Sequence, residues 1–263
     1  MNLIEKNTGD LYSDCWQVLK KEQWLAQGEL LADQLGLTSN QVQGKTCLDG
    51  GCGHGALSYR LHLLGAKEVV GVDLKPTPPK EIFEGIPSVK FVEASLIKLP
   101  LNDQSFDLVV SSGVIHHTIN PEKCFSELSR VLKSGGTLTL GVYGKHGLFS
   151  YCLWVARLFT VKIPILRKSI VSKLVDLFRL DPIWRYQVLD YLYVPILHRY
   201  SPNEVKEMFL RNGLVDPRRI SNISEEKAKK YVSQNTSYSY DHRRWTSKLL
   251  FGYGFIVITG HKK

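Results

Sequence analysis

Leu48-Asp49-Gly50-Gly51-Cys52-Gly53-His54-Gly55 is the stretch that decides the fold. It sets an acid and then four glycines at the end of what reads as a short buried strand. Glycine lets the backbone turn sharply and come close to a ligand, because no Cβ intervenes. Eighteen residues beyond Gly55 a second apolar strand, Glu68-Val69-Val70-Gly71-Val72-Asp73, also ends in an acid. An acid at the tip of the neighbouring strand is positioned to hold a ribose diol. Together the two segments read as a nucleoside-cofactor site at the carboxyl ends of parallel strands.

The choice of nucleoside rests on Asp49. Gly51-x-Gly53-x-x-Ala56, followed by Asp73, also fits the dinucleotide fingerprint. A dinucleotide sets its pyrophosphate on the glycine turn and the helix N-terminus, where the Asp49 carboxylate would repel it. S-adenosylmethionine has no phosphate and carries a sulfonium and an ammonium, which an acid attracts. The residues therefore point to S-adenosylmethionine, with a dinucleotide as the alternative. A third reading is a turn that only packs helix against strand.

Outward from this stretch, residues 46 to 142 alternate strand and helix, which implies a doubly wound, mostly parallel α/β sheet. Strands are expected near 46–49, 69–73, 89–92, 106–111 and 137–142, with helices near 54–64 and 121–132. Asn120-Pro121 opens the second helix as N-cap and first helical residue. Two later strands, near 214–220 and 254–260, bring the sheet to seven, with a helix from Ser201 to about Asn212 before them. Residues 10–37 carry Trp16, Leu19, Trp24, Leu25, Leu30, Leu31 and Leu35 at roughly helical intervals. The domain plan is a helical cap (1–44), a core (45–144), an aromatic helical insertion (145–200) that forms an acceptor lid, and a segment (201–263) that completes the sheet.

Four motifs occur in order: Leu48 to Gly53; Gly71-Val72-Asp73; Leu99-Pro100-Leu101 with Ser105-Phe106-Asp107-Leu108-Val109; and Arg130-Val131-Leu132-Lys133-Ser134-Gly135-Gly136. In these the chain resembles the class I S-adenosylmethionine-dependent methyltransferases, of the branch typified by ubiquinone/menaquinone C-methyltransferases, with a Rossmann-like sheet. The resemblance implies that Asp49, Gly50, Gly51, Cys52 and Gly53 hold the methionine moiety and that Asp73, with Leu74, takes the ribose. Ser95, beside Leu96, stands where the family often has the Asp that holds the adenine amino group. Ser111, at the end of the fourth strand, is expected to border the cofactor. Asp107, Arg130 and the Gly135-Gly136 turn are assigned to the scaffold.

Ligands of open α/β sheets lie beyond the carboxyl ends of the strands, so Ser111-Ser112-Gly113-Val114-Ile115-His116-His117 should border the transferring methyl. His116 or His117 is the candidate general base, since histidine titrates near neutrality; Tyr143 and His146 rank second. An Asn/Asp-Pro-Pro-aromatic motif for amino methylation of nucleobases is absent after this strand, and no cysteine beside strands four or five offers a nucleophile for pyrimidine C5. A small hydrophobic or aromatic acceptor, methylated on oxygen or carbon, is the favoured substrate. An RNA or protein methyltransferase and a cofactor-binding scaffold without catalysis are the alternatives.

Composition sets the outer limits. The chain has 263 residues, 43% of them hydrophobic and 22% charged, as in soluble globular proteins. Its five cysteines show no C-x-x-C pairing, so no metal or disulfide framework is expected and a reduced, cytoplasmic setting is. The opening Met1-Asn2-Leu3-Ile4-Glu5-Lys6 lacks the apolar core of a signal peptide. The net charge of +9 is read as a solvated basic face rather than a nucleic-acid footprint. Apolar and basic residues interleave over 149–180, which leaves open a peripheral membrane contact. Nothing in the sequence addresses the oligomeric state.

Overall fold

The computed structural model describes residues 3–16, 19–162, 173, 190–220, 245, 249 and 252–263, and elements are numbered over these. Expectations for Phe178, Trp184 and Tyr186 of the insertion, and for Lys227, Lys229, Lys230, Arg243, Arg244 and Lys248, lie outside the described residues.

Seven strands make one sheet in the order β3-β2-β1-β4-β5-β7-β6. They are β1 (Thr46–Gly50), β2 (Glu68–Asp73), β3 (Val89–Glu93), β4 (Phe106–Ser112), β5 (Leu132–Tyr143), β6 (Leu214–Arg219) and β7 (Phe255–Lys262). The first five run parallel, and β7 lies antiparallel between β5 and β6. Strands β1 to β3 progress in one direction; the chain then crosses back to lay β4 against the other side of β1. That reversal opens a crevice between the carboxyl ends of β1 and β4, where open α/β sheets bind ligands.

Both faces of the sheet are covered, which explains why its strands read as nearly continuous apolar runs. Cys47, Val69, Leu108 and Val110 pack on one face with Ala32 of α2 (Lys21–Gln34), its C-cap Leu35, and Leu57 and Leu61 of α4 (Ala56–Leu63). Leu48, Val72, Leu138 and Leu140 pack on the other with Phe125 and Leu128 of α6 (Pro121–Val131) and Met208 and Phe209 of α8 (Pro202–Arg211). Each wholly buried leucine contributes about 1.5–3 kcal/mol. The helix signals act as read: Lys123 donates its backbone N–H to Asn120 Oδ1 at 3.0 Å, and Ser201 and Glu204 cap each other's backbone N–H.

Two expectations need correction. Residues 10–37 form two helices rather than one stretch, α1 (Leu3–Trp16) and α2. Lys20 is extended and gives its N–H to the Gln23 side chain, so α2 starts afresh there. Strand β5 also begins at Leu132 rather than 137, because the Lys133–Gly136 segment forms an irregularity within it. Phe106 pairs with Leu132 but Leu108 with Thr137, so the ladder shifts register there. A short α3 (Ser39–Val42), α5 (Lys80–Phe83), a 3-10 turn (Ile115–His117) and α7 (Leu148–Arg157) complete the elements that frame the site.

Candidate cofactor and acceptor site

Asp49 sits in β1 opposite Gly71 of β2 and Val110 of β4, in the middle of the sheet. Its side chain is buried and accepts a hydrogen bond from Ser58 Oγ at 2.7 Å. Burial raises its pKa to about 7, Ser58 opposes that shift, and the charge of Asp73 adds to it. After β1 the chain turns at Gly51, whose φ is +86°. A Cβ there would lie 2.6 Å from Val114 Cγ1, so any side chain would both strain the backbone and collide.

The amides of this turn are committed to the protein itself. Gly51 and Cys52 both donate to Val72 O, at 2.7 and 3.1 Å, and Gly55 donates to Cys52 O. Gly53 N–H donates to Asp73 Oδ2 at 2.9 Å, and Ala56 N–H to His54 Nδ1 at 3.2 Å. His54 thus caps the start of α4, and burial lowers its pKa to about 3, which keeps the ring neutral. Asp73 also accepts Lys75 N–H on Oδ1 at 3.1 Å, so backbone amides fix both carboxylate oxygens. Burial raises its pKa. Cys52 is a buried thiol whose pKa is pushed well up by burial, as suits a packing residue. Behind the turn, Trp24 of α2 donates Nε1–H to His54 O at 3.1 Å. Gly28 lets α2 approach α4, since a Cβ there would sit 2.5 Å from Ala56 O.

Helix α1 crosses the loops that follow β2, β3 and β4. Gly9 packs on Leu74 and Lys75, Asp10 pairs with Lys75 at 2.9 Å, and Ser95 Oγ donates to Glu5 Oε1 at 2.6 Å. Ser95 also accepts Ile97 N–H, and Leu96 is buried against Gly50. Where the sequence shows only a hydroxyl, the structure therefore adds a carboxylate from α1. At the end of β4, the hydroxyls of Ser111 and Ser112 are buried and have no partner among the described residues.

The other side of the crevice is built around Asp190. This buried carboxylate accepts Tyr12 OH on Oδ1 at 2.5 Å and Tyr143 OH on Oδ2 at 2.7 Å. His117 Nε2 lies 3.4 Å from Oδ1. The opposite nitrogen of that ring, Nδ1, is 3.0 Å from Ile196 O and must carry a proton to bond a carbonyl. A proton on Nε2 would make His117 a third donor to Asp190; without it a lone pair faces the carboxylate. Burial lowers the His117 pKa, and Asp190 and the Ile196 carbonyl pull it back up. Both nitrogens are directed at the protein, so this conformation makes His117 a positioning group and not a free base. His116 is wholly buried, its ring tilted against those of His117 and Tyr143 with centroids 4.1 and 4.3 Å away, and neither nitrogen has a partner among the described residues. Burial drives its pKa well down, so it is neutral near pH 7. His146 is exposed, with its ring against Tyr253 and away from this cluster.

A methyltransferase-domain family model matches residues 48–140, the span from the glycine turn through β5. The chain carries a class I S-adenosylmethionine-dependent methyltransferase domain. It is 31% identical over 118 residues to the mitochondrial ubiquinone biosynthesis O-methyltransferase of Dictyostelium discoideum, an alignment covering 40% of this chain and 37% of that protein. It is 33% identical over 117 residues to the tRNA U34 carboxymethyltransferase of Saccharophagus degradans, covering 40% and 35%. The chain thus spans under two thirds of the length of the curated relatives it matches. Among solved structures, 1,6-didemethyltoxoflavin-N1-methyltransferase of Burkholderia thailandensis, with S-adenosylhomocysteine bound, superposes with a TM-score of 0.56 over 99% of this chain and 87% of that one at 16% identity. That likeness is one of fold.

Within the methyltransferase domain, Asp107 and Arg130 are scaffold. Asp107 accepts Thr46 N–H and pairs with Lys133, joining β4 to β1 and β5. Arg130 donates to Leu99 O and Leu101 O and pairs with Glu127 and Asp103. Sequence reasoning missed Glu5, Tyr12 and Asp190. A signal for Asp190 was present: it is a lone acid in the apolar run Val188-Leu189-Asp190-Tyr191-Leu192-Tyr193-Val194, and a buried charge needs partners.

Proposed function

We propose that the chain transfers the methyl group of S-adenosylmethionine to an oxygen or carbon of a small, hydrophobic or aromatic acceptor. The observation that carries this reading is the internal use of the glycine-turn amides. Gly51, Cys52, Gly53, Gly55 and Ala56 all spend their N–H groups on protein acceptors, so no array of amides is left to cradle a pyrophosphate. Two carboxylates, Asp49 and Asp73, flank that turn, which suits a phosphate-free, cationic cofactor.

S-adenosylmethionine fits these residues and supplies, when bound, a methyl activated by its sulfonium. Asp49, with a pKa raised to about 7, gains a cation that favours its ionised form. Asp73 offers the ribose hydroxyls the acceptor capacity that its bonds to backbone amides leave over. Glu5 and Ser95 meet the adenine edge, and the unpartnered Ser111 and Ser112 hydroxyls line the crevice between the two ligands. Tyr12, Tyr143, His116 and Tyr191 form the wall that aligns an aromatic acceptor and excludes water. Alignment is the protein's main contribution to an in-line displacement, because the activation resides in the cofactor. The branch of quinone methyltransferases is supported by one relative's name and by the motif resemblance.

Calorimetry tests this reading. The purified protein should bind S-adenosylmethionine and S-adenosylhomocysteine and not bind NAD; tight NAD binding without S-adenosylmethionine binding overturns it. A second reading, an RNA methyltransferase, is favoured by the likeness to a tRNA-modifying relative. RNA binding that weakens steeply with salt is its signature. No described helix is long and apolar enough to cross a membrane. Helix α7 exposes Leu148, Tyr151, Trp154 and Val155, and sedimentation with anionic vesicles tests a peripheral contact there.

A further inference from the structure

We propose that the acceptor carries an anionic oxyacid group, a carboxylate or a phosphate, which Arg199 holds beside His116. This deepens the methyl-transfer reading and rests on it for the identity of the neighbouring ligand.

Arg199 is fixed at the acceptor end by its backbone. The segment through it bonds the turn after β4, with His198 N–H donating to His116 O at 2.8 Å. It also bonds the end of β5, with Tyr200 N–H donating to Tyr143 O at 3.0 Å. The guanidinium is half-buried and its pKa is lowered by that burial, against the opposing pull of Tyr191, Tyr143 and Asp190 nearby. Of the five N–H donors a guanidinium carries, the bond formed among the described residues goes to the neutral hydroxyl of Ser150.

Charge balance around Arg199 is the second observation. Arg157, the other half-buried guanidinium here, is committed to backbone carbonyls, Tyr191 O at 2.9 Å and Val194 O at 2.8 Å. Neither arginine has a carboxylate partner among the described residues. Asp190 is the buried acid of this neighbourhood, and its oxygens are taken by Tyr12, Tyr143 and the face of His117. Among the described residues, two guanidinium groups thus stand near one buried carboxylate whose oxygens are already occupied.

The third observation is His116, wholly buried with both ring nitrogens unpartnered among the described residues. It lies close enough to Arg199 to feel its charge. A neutral imidazole has one N–H to donate. An oxyanion seated on Arg199 would receive that proton donor together with the guanidinium fork, whose geometry matches carboxylate and phosphate oxygens. The acid near Arg199, Asp190, has its oxygens occupied by the hydroxyls of Tyr12 and Tyr143, while Asp49 and Asp73 belong to the glycine-turn side.

The test uses the full chain saturated with S-adenosylhomocysteine, followed by NMR of the histidine rings. Benzoate, phenyl phosphate and benzamide are the probes, and His116 is assigned by its loss in His116→Gln. Benzoate or phenyl phosphate should shift the His116 resonances saturably while benzamide does not, and whichever of the two binds tighter identifies the oxyacid. Arg199→Gln should weaken that titration at least tenfold, and Arg199→Lys, which keeps the charge but loses the fork, by less. Ser150→Ala removes the hydroxyl that Arg199 now bonds and should leave anion binding within about threefold. The proposal fails if benzamide acts as strongly as the anions, if neither anion produces a saturable shift, or if the Arg199 variants bind as the parent does. Failure to bind S-adenosylhomocysteine in the same sample would instead count against the methyl-transfer reading, and the anion titration is read independently of it.

Discussion

The two sides of the crevice are built by different rules. On the glycine-turn side, Asp49, Gly51, Gly53 and Asp73 come from one strand-turn-helix-strand unit, and the bonds among them are backbone amides to carbonyls or to a carboxylate. On the Asp190 side, Tyr12, His117, Tyr143 and Asp190 come from four separated parts of the chain and meet through side chains, Tyr12 and Asp190 being 178 residues apart. The first arrangement is fixed by local geometry and needs little else. The second exists only once α1, the end of β5 and the insertion have docked. A site of this kind can keep one ligand constant while the residues facing the other are exchanged.

The sharpest way to break the comparison is Gly51→Ala. With φ at +86° and Val114 in the path of a Cβ, the variant should lose about 3 kcal/mol of stability and its cofactor affinity together. Chemical denaturation and calorimetry check this, and an unchanged midpoint would mean the turn is more adaptable than its geometry implies. Asp73→Ala comes next. It should weaken S-adenosylhomocysteine binding by roughly 1.5–3 kcal/mol, the range for hydrogen bonds to a charged group, and lower stability by about 1–3 kcal/mol because the Gly53 amide loses its acceptor. An unchanged dissociation constant in a folded variant would remove Asp73 from the site.

Asp190→Ala probes the other side. Freeing Tyr12, Tyr143 and His117 should cost about 2 kcal/mol in transfer, seen as a fall in kcat/KM, while S-adenosylhomocysteine affinity changes far less than in Asp73→Ala. Equal losses of cofactor affinity in the two variants would show that α1 couples the sides and that the division of labour fails. The smallest effect is one of pH. A bound cation lowers the pKa of Asp49 from about 7, so between the two values binding releases a proton. S-adenosylmethionine affinity should therefore rise with pH by up to about tenfold per unit below 7 and level off above it. A dissociation constant flat from pH 5 to 8 would exclude Asp49 from cation binding.

The sequence alone determined the doubly wound, mostly parallel α/β plan and the acids flanking the glycine turn. Those features follow from short-range constraints: apolar strand runs, a turn that requires glycine, and caps such as Asn120-Pro121 and Ser201-Pro202. Tertiary structure alone decided that residues 10–37 break at Lys20, that Glu5 stands beside Ser95, and that His117 lies between the Ile196 carbonyl and Asp190. It also decided that Asp190 gathers Tyr12 and Tyr143. None of these pairs is near in sequence, and each depends on which surfaces the docked helices bring together. A buried carboxylate selects its donors from whatever packing delivers, and sequence spacing carries no record of that choice.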